Sequence, residues 1–146
     1  VKLLHLPFLL QGILMLYDEV LHRRRGLGAW ERMGHPLDTF TVFVPLAFAA
    51  TRDFTEARLW IFVLLGIFSS IFITKDEFVH ARECGPREHW VHAVLFVLHP
   101  LIFVAAGFLW WLDPADLLLG AQPLVLGGFM TYQIIYWSYV WKPIAR

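Results

Sequence analysis

The sequence predicts an all-α fold: an integral membrane bundle of about five transmembrane helices, a single domain over 1–146. Three observations carry that reading. The 146 residues are 58% hydrophobic and 16% aromatic, with a mean hydropathy of +0.59, far from the composition of a soluble domain. Apolar runs fall at 3–24, 30–51, 56–82, 87–112 and 117–141, each near the roughly 20 residues that cross a bilayer as a helix. A charged stretch from Tyr17 to His35, YDEVLHRRRGLGAWERMGH, returns at Lys75 to His92 as KDEFVHARECGPREHWVH. The first four helices therefore read as a duplicated pair of helical hairpins with pseudo-twofold symmetry.

Taken in order, the first run lacks a basic leader and a small-residue cleavage site, so it reads as a first span rather than a signal peptide. The second is continuously apolar only between Pro36 and Thr51 and needs its polar first turns to reach the interface. Pro7, Pro36, Pro45, Pro100 and Pro123 lie inside runs, where bilayer helices tolerate them. Short connections predict that sequential helices pack as antiparallel neighbours. Nine of the twelve basic residues (Arg23, Arg24, Arg25, Arg32, Lys75, Arg82, Arg87, Lys142 and Arg146) share one side, which the positive-inside rule assigns to the cytoplasm. The N-terminus is then outside and the C-terminus cytoplasmic. Trp60, Trp110, Trp111, Trp137 and Trp141 stand near span ends and read as interfacial anchors.

Zero formal net charge gives no basic patch for nucleic acid, and the lone Cys84 excludes an intrachain disulfide or a CxxC site. The chemistry lies in the repeat. Asp18, Glu19, His22 and Arg24 pair with Asp76, Glu77, His80 and Arg82; after a one-residue deletion, Gly28, Glu31 and His35 pair with Gly85, Glu88 and His92. Glu and His three or four apart share a helix face. Two hairpins face to face would converge Glu19, His22, Glu31 and His35 on Glu77, His80, Glu88 and His92. Four carboxylates and four imidazoles suit two divalent ions near the cytoplasmic face, iron first, with zinc or manganese as alternatives.

The paired Glu-x-x-His spellings, Glu19/His22 and Glu77/His80, resemble those of ferritin-like di-iron and di-manganese carboxylate proteins. A weaker likeness, through HWVH at His89 to His92, is to integral-membrane lipid hydroxylases and desaturases. The resemblance implies an oxygen-dependent oxidoreductase that hydroxylates or desaturates a membrane lipid or other apolar substrate, served by a cytoplasmic electron donor. It departs from the ferritin-like pattern in being transmembrane and in carrying Glu-x-x-x-His on two helices. The alternatives are a zinc-dependent lipid hydrolase, a non-catalytic metal-binding or structural protein, and a haem-binding one.

Other polar residues have their own expectations. Asp38 is read as an acceptor for a ligand imidazole or a ninth ligand, His99 as a deep functional or hydroxyl-bonded histidine, and His89 as a substitute for Glu88 under a different helix rotation. His5 reads as an interface residue. Asp18 and Asp76 are expected to point away from the site as partners of Arg24 and Arg82, which either snorkel or orient the glutamates. The phenylalanines, Phe62 and Phe103 among them, read as packing or as walls of an apolar chamber. The fifth helix covers one side of the bundle, with Tyr132, Gln133 and Tyr136 serving a substrate channel or a dimer contact. The oligomeric state stays open.

Overall fold

The computed structural model describes residues 1–141, so Lys142 and Arg146, counted above for orientation, lie outside the described residues. The chain is all-helical: α1 (Leu6–Arg25), α2 (Ala29–Thr51), α3 (Glu56–Phe72), α4 (Glu77–Glu83), α5 (Pro86–Leu112) and α6 (Leu117–Ile135). Four segments are long and apolar enough to cross a membrane: Lys2–Arg25, Glu56–Glu83, Pro86–Leu112 and Leu117–Val140. The 23-residue α2 falls short of that apolarity because Glu31, Arg32, His35 and Asp38 occupy its first half.

The Glu56–Glu83 segment is not one continuous α-helix. A 3₁₀ turn over Ile73–Asp76 separates α3 from α4. Ser70 and Thr74 each bond back to a backbone carbonyl here, Gly66 and Ile71 respectively, the local competition that loosens a helix. Between α1 and α2 the chain reverses at Gly26, with φ +82°, where a Cβ would stand 2.6 Å from the Trp141 ring.

Packing meets the sequential-neighbour expectation in part: α2 packs on α3 and α3 on α5, but α1 lies along α5 rather than α2, and α6 along α2 rather than α5. The contacts of α1 with α5 and of α2 with α3 join one hairpin to the other. This is what a twofold relation requires: exchanging the halves turns the α1/α5 contact into the α3/α2 contact. α6 breaks the symmetry by packing on α2. The equivalent face of α5, beside α3, carries an open apolar groove of about 710 Å³.

Apolar packing concentrates at the end of the bundle remote from the repeat, where Leu46, Phe62, Ala106, Leu109, Trp110 and Leu119 interlock. Lipid tails are as apolar as these side chains, so close contact rather than transfer from water holds this end together. Trp110 is fully buried and donates to the Arg52 carbonyl at 2.6 Å, and Trp137 is also buried. Those two are therefore not interfacial anchors, because each indole N–H finds a partner inside. Trp60 and Trp111 do face outward.

Candidate metal centre

Four helices each bring one carboxylate and one histidine, four residues apart, to the other end of the bundle. The pairs are Asp18/His22 on α1, Glu31/His35 on α2, Asp76/His80 at the start of α4 and Glu88/His92 on α5. Residues four apart stack on one helix face, so each helix points both groups the same way. The imidazoles form a compact ring. His22–His35 and His80–His92 centroids are 4.8 and 3.8 Å apart within the halves, and His22–His92 and His35–His80 are 5.5 and 6.3 Å apart between them. Matched distances differ by about 1 Å, so the register of the repeat is kept in space only approximately.

This geometry corrects the choice of acid on two helices. Glu19 turns to α6, where it accepts from Tyr132 Oη and, at 3.4 Å, from Trp137 Nε1, and it pairs with Arg23 at 3.1 Å. Glu77 is 44% exposed and pairs with His89 at 3.0 Å. Asp18 and Asp76, expected to point elsewhere, are the acids that face the histidines. Spacing alone allows either residue, since 18 and 19 stand 100° apart on the helix and flank the direction of His22. Partners on α6 and α5 decide. The Glu-x-x-His spelling that carried the ferritin-like resemblance is thus not the pair that meets.

The remaining positions follow. Glu88 enters the cluster, 3.3 Å from His22, and His89 does not. Asp38 approaches His35 Nδ1 only to 4.0 Å but accepts from Lys75 Nζ at 2.6 Å. His99 is bonded to the Ser69 hydroxyl at 2.9 Å, which contacts Thr41 at 2.9 Å. His5 binds Asp116 at 2.8 Å. That carboxyl, although burial opposes its ionisation, is held below its usual range by the Leu119 backbone N–H and His5. Arg24 is exposed, and Arg82 donates to the Phe78 carbonyl, so neither orients a glutamate.

Two residues that sequence reasoning missed shape the site. Arg25 grips Glu31 through two contacts of 2.5 and 3.0 Å and Glu88 at 2.9 Å, tying α1 to α2 and α5. Only its lack of a basic counterpart in the repeat, where Glu83 stands, marked it out. Cys84 joins His80 and His92 as a third convergent group, its thiol pushed up to about 12 by burial and the Glu88 charge.

Among the described residues, eight buried side-chain nitrogen and oxygen atoms lack a hydrogen-bond partner, and six belong to this cluster: Asp18 Oδ1, His22 Nε2, His35 Nε2, both nitrogens of His80, and His92 Nε2. Asp18 Oδ1 and His92 Nε2 are 2.9 Å apart yet not aligned as donor and acceptor. Their lone pairs converge on shared space instead, the arrangement of two ligands around an ion. Ligating atoms of Asp18, His22, Glu88 and His92, all buried, come within 4.8 Å of one another, as do those of His22, Glu31 and His35 and of His35, Asp38 and Asp76. Five carboxylates (Asp18, Glu31, Asp38, Asp76, Glu88) face two fixed cations, Arg25 and Lys75. Carboxylates and imidazoles gathered this closely give the cluster the donors that a divalent ion takes.

A chamber of about 410 Å³ takes in the cluster at one end and continues between α1, α2, α5 and α6. Away from the cluster Phe8, Leu46, Phe96 and Leu126 wall it, and Gln11, Thr39, His99, Gln122 and Gln133 supply polar groups. Gln133 accepts from Thr39 at 2.7 Å and Tyr132 is held by Glu19 and Arg23, so both work inside the chain. No protein family, no curated protein and no solved structure matches this chain.

Proposed function

We propose that this chain is a membrane-embedded metalloenzyme holding two divalent ions, iron first, and that it oxidises a lipid-like substrate, by hydroxylation or desaturation, with an electron donor on the cytoplasmic side. The observation that carries the reading is the set of six unpartnered buried atoms of Asp18, His22, His35, His80 and His92 at the closed end of an apolar chamber. Buried polar groups are otherwise satisfied, and orphans gathered in one place call for a ligand. Neutral imidazoles with carboxylates favour iron, manganese or zinc over magnesium or calcium.

In this reading His22, His92, Asp18 and Glu88 hold one ion, and His35, His80, Asp76 and Glu31 hold the other. Arg25 orients Glu31 and Glu88, and Lys75 orients Asp38 and Asp76. Iron would supply the one-electron chemistry that no side chain here provides. The chain's own residues exclude water, present the substrate carbon and fix the imidazole tautomers. The cluster faces the cytoplasm, on the strength of the basic residues at that end.

Cys84 beside His80 and His92 favours a second reading, zinc-dependent lipid hydrolysis, because thiolate with imidazole is a zinc donor set. Elemental mass spectrometry on detergent-purified protein decides between them. About two irons per chain, lost together in Asp18→Ala/His92→Ala, supports the oxidase and directs the search to oxygen-dependent lipid oxidation. Stoichiometric zinc in a colourless protein supports the hydrolase. A folded, metal-replete preparation with less than about a tenth of an ion per chain overturns both.

A further inference from the structure

α1 and α6 run parallel, yet their backbones hardly approach each other, because α1 leans on α5 and α6 on α2. Among the described residues, the hydrogen-bonded bridges across the gap stand at its two ends. At one end His5 binds Asp116, the residue that caps α6. At the other, Tyr132 binds Glu19 and Arg23. Between these latches the facing residues Leu9, Gly12, Leu16 and Val125 are exposed on the outside while also lining the chamber, so the chamber opens sideways between the two helices. In a bilayer, such an opening faces lipid rather than water.

The chamber has a direction. Gln11 and His22 are eleven residues apart on α1, a rise of roughly 16 Å. The His5/Asp116 latch sets the register of α1 against α6 and puts Gln11 level with Gln122, both lining the end remote from the histidines. Gln11 Oε1 is buried and lacks a donor. A volume of about 410 Å³ lies in the range of small-ligand sites and is narrow for a two-chain phospholipid.

We propose that the gap between α1 and α6 is a lateral portal, and that the chamber takes a single-chain amphiphile from the bilayer. Its hydroxyl or amide N–H bonds Gln11 at the Gln11/Gln122 level, and its chain runs toward the histidine cluster. This names the substrate class of the oxidation proposed above and rests on that reading only for what happens at the chain's far end. The occupied chamber does not require metal.

The test is photolabelling of the full chain, in detergent, with a long-chain primary alcohol carrying a diazirine at its terminal carbon, with adducts located by peptide mass spectrometry and metal content measured on the same sample. Saturable adducts on the Met15–Glu19, Leu95–His99 and Phe129–Gln133 stretches are expected, displaced by unlabelled alcohol. Gly12→Phe places a ring in the chamber at a position where a Cβ meets nothing within 4 Å. It should weaken labelling at least about tenfold while metal content is retained. Gln11→Leu should abolish the preference for the alcohol over its methyl ether, which cannot donate, and this variant serves if Gly12→Phe fails to fold.

Adducts confined to the α3/α5 groove, unsaturable labelling, displacement by diacyl phosphatidylcholine as readily as by the alcohol, or terminal-carbon adducts at Leu9–Gly12 would each overturn the proposal. Saturable labelling without metal sinks the oxidase and leaves the portal standing; metal without labelling does the reverse.

Discussion

The two sets of acids and histidines that the repeat pairs are not alike. Asp18, His22, Glu88 and His92, from α1 and α5, converge as four buried groups. Their counterparts Asp76, His80, Glu31 and His35 do not close into the same foursome: His35 gathers instead with Asp38 and Asp76, and the ammonium of Lys75 sits between those two acids at 2.6 and 3.0 Å. Asp38 has no partner in the repeat, since Leu95 stands in its place, and Lys75 corresponds to Tyr17. The repeat thus pairs equal side chains, and single-residue differences give one set a built-in cation. A protein ammonium and a metal ion compete for the same lone pairs, so under the two-ion proposal the α2/α4 set is expected to bind more weakly.

Four substitutions break or sharpen that comparison, in descending order of effect. Arg25→Met leaves Glu31 and Glu88 buried without their cation, and removing one partner of a buried pair costs about 3–5 kcal/mol. Thermal unfolding of the metal-free protein should show that loss, whereas Arg24→Met, exposed, should unfold with the wild type. If both behave alike, the clamp does not hold the halves together. Second, Asp18→Asn should weaken the tighter ion by more than about 100-fold, beyond what loss of an outer contact does, and Glu19→Gln should leave it in place. Isothermal titration with iron(II) under anaerobic conditions separates them, and a larger loss in the Glu19 variant would return the assignment to the Glu-x-x-His pair.

Lys75→Met removes the competing ammonium and should tighten the second ion about tenfold, leaving the first unchanged. Should the second ion disappear instead, Lys75 positions Asp38 and Asp76 rather than blocking them. Smallest is Asp116→Ala, which removes the cap of α6 and should cost about 1 kcal/mol in thermal stability. Because α6 packs mainly on the first half, and Asp116 stands at its end remote from the histidines, metal binding by the α2/α4 and α1/α5 sets should keep its order in this variant. The Asp116 carboxyl titrates below its usual range when folded, so its contribution is complete above the unfolded value and fades as pH falls through the folded one.

Composition and apolar run length determined the helical class and the four segments apolar enough to cross a membrane, because each depends on local hydrophobicity alone. The repeat marked which helices carry the cluster, and its register placed all four histidines, Glu31 and Glu88 among the groups that gather there. The sequence also marked Asp38 as the odd acid out. What it left open was which of two adjacent acids turns inward. Asp18 and Glu19 differ by one step of 100°, less than the tolerance of a face defined by spacing, and so do Asp76 and Glu77. Tertiary structure decided, because Tyr132 on α6 and Trp137 in the turn just after it claim Glu19, and His89 claims Glu77 at the surface. The same holds for Arg25, whose partners lie 6 and 63 residues away, and for the cross-half packing of α1 with α5. A helix's periodicity fixes its faces, but only the neighbours that fold against it say which face is inside.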